Sequence, residues 1–135
     1  MIALSTDRNT RKWSGDRCEF PVAASRVLYA GDLVALHADG FAVPMSTSTT
    51  LLALGRRECR MDSASGFNGD LMVIVGVGIY RFVNSSADEI TTGDTGKTCY
   101  GVDDQTAALT DGTGTRSVSG TIFNVDIQGV WVDFR

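Results

Sequence analysis

Gly96-Lys97-Thr98 matches the tail of a phosphate-cradling loop, a motif in which backbone N–H groups and a lysine hold a nucleotide. Such a loop needs a glycine five positions before Gly96, and that position is Thr91. It also needs a helix directly after it to aim an N-terminal dipole at phosphate. The next residues are Cys-Tyr-Gly-Val-Asp-Asp, a strand and a turn, so Thr91–Thr98 reads as a polar turn. Gly76-Val77-Gly78 lacks the third glycine of a dinucleotide fingerprint and lies inside an apolar run. It reads as a strand bend. His37 is the one histidine of the chain. A catalytic triad needs a nucleophile and an acid around it, and zinc needs three further ligands. In strand alternation His37 shares a face with Leu33 and Ala35, which suits a surface or half-buried strand residue.

The carboxylate pairs Asp88-Glu89 and Asp103-Asp104 are adjacent in sequence. Neighbouring side chains of an extended segment point to opposite faces, so neither pair is a general acid–base dyad. Asp103-Asp104 reads as a turn. The loop at Asp111 lacks the spacing of a calcium site. Cys18, Cys59 and Cys99 form no CxxC pair, and their odd number does not suit a secreted disulfide framework. Free thiols in a reducing compartment are expected, with Cys99 a buried, inert one. No catalytic residue, cofactor site or metal site is expected, and the chain does not read as an enzyme.

The elements that would position any site are short strands. Leu33–His37 and Phe41–Met45 flank Asp39-Gly40, a pair that suits a type I′ hairpin turn. Pro44 marks the second of these strands as an edge or an end. Leu51–Arg60 suits strand or helix, and Gly55 counts against helix. In Leu71–Val83, Val73 and Val75 would share one face and Met72 and Ile74 the other; β-branched density favours strand there. Gly76 and Gly78 signal a bulge, a bend or close approach of another backbone. Lys97–Val102 and Gln105–Thr110 read as strands about Asp103-Asp104, and Asp111–Thr115 as a hairpin loop. Ser117–Ile127 and Val130–Phe134 pair across Gln128-Gly129, with Val130, Val132 and Phe134 on one face. Many short strands and no three-turn helix predict an all-β domain, a small barrel or sandwich of antiparallel strands. Residues 1–19 sustain neither period and are expected to be an extended N-terminal arm, with the domain over residues 20–135.

At 135 residues one domain can bury an adequate core without staples. Twelve Lys and Arg against sixteen Asp and Glu give a net charge of −4, with no basic excess for phosphate, so direct nucleic-acid binding is not expected. The N-terminus has no apolar signal region and no run is long enough to span a membrane, so no membrane association is expected.

Six stretches resemble the small capsid decoration, or cement, proteins of tailed bacteriophages, above all those encoded beside the major head subunit in Mu-like phages and prophages. They are STDRNT, VAASRVLYAGDLVALHADGFAVP, LLALGRRE, GDLMVIVGVGIYRFVNS, GKTCYGVDDQTAALTDGTGTRS and GTIFNVDIQGVWVDF, and together they cover most of the chain. The Tyr29–Val34 element and the Gly96–Asp104 element carry the resemblance furthest. It implies a virion protein, made in the host cytoplasm, that sits on the capsid exterior. There it would bind the major capsid protein and stabilise contacts between its subunits. Self-association as a homotrimer is also implied. Arg8, Arg11, Lys12, Trp13 and Arg17 become the candidate capsid-binding residues, Trp13 as anchor and the cations against acidic capsid surface. A second class of function stays open, a tail, fibre or baseplate β-domain that binds a host receptor or glycan. The small β-barrel enzyme or ligand carrier is the third, and would need convergent polar groups around His37.

Overall fold

The computed structural model describes residues 3–9, 11, 15–24, 27–58, 61–62, 67–69 and 71–135; of Val27, Met61 and Asp62 it describes the backbone. The protein is all-β, as expected, and it joins an open five-stranded sheet to a closed five-stranded barrel.

The sheet contains β1 (Arg17–Pro21), β3 (Leu33–Leu36), β4 (Ala42–Pro44), β5 (Leu52–Arg57) and β7 (Met72–Gly76), in the order β1-β7-β5-β3-β4. All its pairings are antiparallel. Pro44 closes β4, an edge strand, where a missing N–H costs no ladder bond. The hairpin of β3 and β4 forms at Asp39-Gly40, but not as a type I′ turn. Gly40 has a positive φ of 90° and Asp39 does not. The Gly40 N–H donates to His37 O (2.9 Å) and the His37 N–H to Phe41 O (3.0 Å). This is the longer hairpin loop, a type I-like turn closed by a left-handed glycine.

β1 takes in Arg17, Cys18 and Glu19, which pair with Gly76, Val75 and Ile74 of β7. The expected end of the arm at residue 19 therefore falls inside the sheet. The local sequence gives no sign of this, because the partner strand lies more than fifty residues away. A two-stranded ribbon of β2 (Val27–Leu28) and β6 (Met61–Asp62) completes this half.

The barrel is built from β8 (Ile79–Asn84), β9 (Thr98–Gly101), β10 (Thr106–Ala108), β11 (Val118–Asp126) and β12 (Gly129–Asp133), closing in the order β10-β8-β12-β11-β9. The run Leu71–Val83 divides at Val77-Gly78, with β7 in the sheet and β8 in the barrel, which bears out the bend. β9 and β10 pair about Asp103-Asp104 as expected; β11 and β12 pair about Ile127-Gln128, one residue before the expected Gln128-Gly129, because Gly129 already pairs with Asp126. Asp111–Thr115 is not a hairpin loop. β10 pairs with β8 and β9, so the segment after it crosses past β9 to reach β11. The β10–β8 pair is parallel.

One core joins the two halves. It holds Leu33, Ala35, Val43 and Met45 from the sheet half and Phe82, Cys99, Ile122, Val130 and Val132 from the barrel. A smaller core on the sheet's other face holds Leu28, Val34, Ala42, Val73 and Val75. Alternation in β3 thus feeds both cores, which is why its whole LVAL run is apolar.

Candidate functional site

His37 sits at the hairpin turn, with its side chain about half exposed. Its Nδ1 accepts from the Asp39 N–H (3.3 Å) and lies 3.1 Å from Asp39 Oδ1. Its described contacts organise the turn, with no nucleophile among them. Lys97 donates to Asp94 Oδ1 (3.0 Å), and Asp94 Oδ2 accepts from the Thr91 N–H (2.8 Å). The Thr91 N–H, followed by Lys97, holds Asp94 below the ordinary carboxylate range. The Gly-Lys-Thr segment is thus a polar turn around a short 3-10 helix at Thr92–Asp94, and its lysine serves the turn.

Burial pushes the Cys99 thiol up to about 11, far from a reactive thiolate. Asp103 accepts from the Gln105 N–H (2.9 Å), which makes the expected turn. Asp88 accepts from the Thr110 hydroxyl and from Arg116 (2.8 Å). The Thr110 hydroxyl, above all, keeps it below the usual carboxylate range. It ties down the segment that crosses from β10 to β11. Among the described residues, no group of three His, Cys, Asp or Glu side chains could hold a metal ion.

The surface carries more. Residues 3–9 and Arg11 are all exposed, Leu4 at 72%. Arg8 and Arg11 therefore project from an arm in water, whereas Arg17 stands in β1 opposite Gly76. Lys12 and Trp13 lie outside the described residues. Beside β1 runs an open groove of about 870 Å³, lined by Cys18, Phe20, Met72 and Ile74, with Asp16 and Glu19 on it.

A second exposed apolar surface lies on the outer wall of the barrel. Arg81 and Trp131 are register partners in β8 and β12, and Asn124 of β11 pairs with Trp131. A register shift between Ile122 and Asn124 falls at Phe123, which is exposed while Ile122 is buried. Val83, Phe123 and Ile127 are exposed there. Arg81 lies 5.6 Å from the Trp131 ring centre and donates to Gln128 Oε1.

No family model, curated protein or solved structure matches the chain.

Sequence reasoning on function did not single out this barrel wall or the groove. Strand alternation puts Phe123 on one face with Thr121, Val125 and Ile127 and does not say which face meets water. Ile127 gave no signal either, because the local pattern ends the strand at Ile127 and sets the turn at Gln128-Gly129.

Proposed function

We propose that this protein is a structural virion protein that binds the outside of a phage capsid and stabilises contacts between major capsid subunits. The observation that carries the reading is an exposed, cation-bearing segment, residues 3–9 with Arg11, ahead of the first strand of a compact β-scaffold. The resemblance of the turn and strand segments to phage decoration proteins points the same way. A cement protein must resist deformation and present contact surface. The shared core supplies the first, and the arm with Arg8 and Arg11 supplies the second. Exposed ion pairs contribute little singly, and repetition over a shell turns weak contacts into strong attachment. In this reading the partner is the major capsid protein, and the protein works as a homotrimer at the capsid exterior.

Sedimentation with purified heads and tails tests the proposal. The protein is expected to travel with expanded heads and to appear in images as regular density on the shell. Recovery on tails alone would overturn it in favour of a receptor- or glycan-binding role.

A further inference from the structure

Of the four asparagines, Asn9, Asn68, Asn84 and Asn124, only Asn68 is followed by glycine. Each half of the Asn68-Gly69 pair has its own task in the fold. The Ala24 N–H donates to Asn68 Oδ1 (2.7 Å), and the Gly69 N–H donates to Val22 O (3.0 Å). Gly69 has a positive φ of 80°, and a Cβ there would stand 3.3 Å from the Phe41 ring. Backbone conformation and crowding therefore both call for glycine. Together the two bonds fasten the loop before β7 onto the segment that leaves β1.

The same pair carries a reaction of its own. A backbone nitrogen that follows asparagine is placed to attack the side-chain carbonyl carbon. A bond from Gly69 N to Asn68 Cγ closes a succinimide ring, the Cγ–Nδ2 bond breaks, and ammonia leaves with the proton from Gly69 N. Water then opens the ring. Attack at Cγ gives aspartate, and attack at the backbone carbonyl gives isoaspartate, whose main chain runs through Cγ. Both residues are exposed, so water reaches them. No side chain on Gly69 hinders the first step, whereas Thr10, Ser85 and Val125 follow the other asparagines.

The fold holds this step back. The attacking nitrogen keeps its proton in the bond to Val22 O, and Asn68 Oδ1 is turned to Ala24. Val22 is buried and its own N–H bonds Leu71 O (2.9 Å), so the acceptor is fixed. The loop must open before Gly69 N can reach Cγ, and the rate then follows the population of the opened loop. Conversion to isoaspartate is one-way in its effect. Oδ1 and Gly69 N then belong to a single peptide group, whose C=O and N–H point in opposite directions. The 22–24 segment presents a donor and an acceptor together, and one such group cannot serve both.

We propose that Asn68-Gly69 is a self-modification site, locked by its bonds to the 22–24 segment, and that its conversion to isoaspartate releases this loop from the sheet. Water is the only co-reactant. Each opening of the loop gives the reaction its chance, so the site records time spent open. The proposal does not depend on the capsid reading and is tested without any capsid.

The full chain is aged in neutral buffer, native and in urea, and sampled by peptide mapping. Amide-to-acid conversion is read by mass, and isoaspartate by enzymatic methyl labelling. In urea Asn68 is expected to convert ahead of Asn9, Asn84 and Asn124, mainly to isoaspartate. Asn68→Gln, which would have to close a larger ring, should stay unmodified at this position. In the native protein the Asn68 rate is expected to fall roughly tenfold or more. Chains converted in urea are then refolded, and their Ala24 and Gly69 amides should exchange faster than in unaged protein. If they do not refold, native chains aged to partial conversion take their place. An Asn68 no faster than the other three in urea, a native rate equal to the urea rate, or converted chains with both amides still protected would each overturn the proposal.

Discussion

A side chain at position 55 would have to displace backbone. A Cβ built on Gly55 would stand 2.2 Å from Gly76 O, and the backbone φ there is 152°. The same residue lies where the β3–β5 register slips between Val34 and Ala35. Gly55 therefore allows a bulge and a close approach of β5 to β7. Gly55→Ala is expected to destabilise the fold by about 2–4 kcal/mol, read as a lower urea midpoint. An unchanged midpoint would show that the two strands can part without cost. Asp104 gives a prediction in pH. Burial, followed by the neighbouring Asp103 charge, raises its pKa above the ordinary value, and burial does the same to Asp32. A carboxyl with a raised folded pKa contributes stability that is fully present below its unfolded pKa and is lost as pH rises through the folded one. Asp104→Asn should remove that loss. The variant is expected to gain on the wild type as pH rises from the acid range, with the difference closing at the acid end. Thermal melts across that range check the sign, and a variant that loses ground at neutral pH would refute it.

Among the elements, the arm and the strand after it behave differently. Residues 3–9 and Arg11 are exposed, whereas Arg17–Pro21 is hydrogen-bonded to β7. Deleting residues 1–12 should therefore leave the circular dichroism spectrum intact while head binding falls. Extending the deletion through Pro21 should destabilise the sheet, because β7 loses its neighbour. If the shorter truncation also unfolds the protein, the arm is part of the fold and cannot serve as a separable contact. The same contrast shows what could be read from sequence. The bend at Gly76–Gly78, the β9–β10 turn at Asp103-Asp104 and the β11–β12 hairpin arise from local punctuation and alternation. The β1–β7 pairing, the parallel β8–β10 pair and the crossing from β10 to β11 depend on partners far along the chain. Binary pattern gives each strand its faces and leaves its neighbours open. For the candidate sites, the cations of the arm were visible as composition. The groove was not, because β1 comes beside Met72 and Ile74 only through that long-range pairing.

The two halves of the molecule share one interior. Leu33 and Ala35 of the sheet contact the same core as Phe82, Val130 and Val132 of the barrel. The Leu33 N–H donates to Asp104 O (2.8 Å), so a backbone bond also spans the junction. Arg56 of β5 adds a side-chain link, lying 4.4 Å from the Tyr80 ring centre while bonding Glu58 (3.2 Å). Separating the sheet from the barrel would expose apolar surface on both, so neither half gains by opening alone. Unfolding is therefore expected to be a single cooperative transition despite the two architectures. Native-state hydrogen exchange gives the sharpest check, because it reads strands one by one. The slowest amides of β3 and β12 should exchange with equal free energies that match global unfolding measured by circular dichroism. If β3 opened at clearly lower free energy than β12, the barrel would be the independent folding unit and the sheet an attached layer. The arm would then join a scaffold that yields before the barrel does, and resistance to deformation of the shell would have to come from the barrel wall.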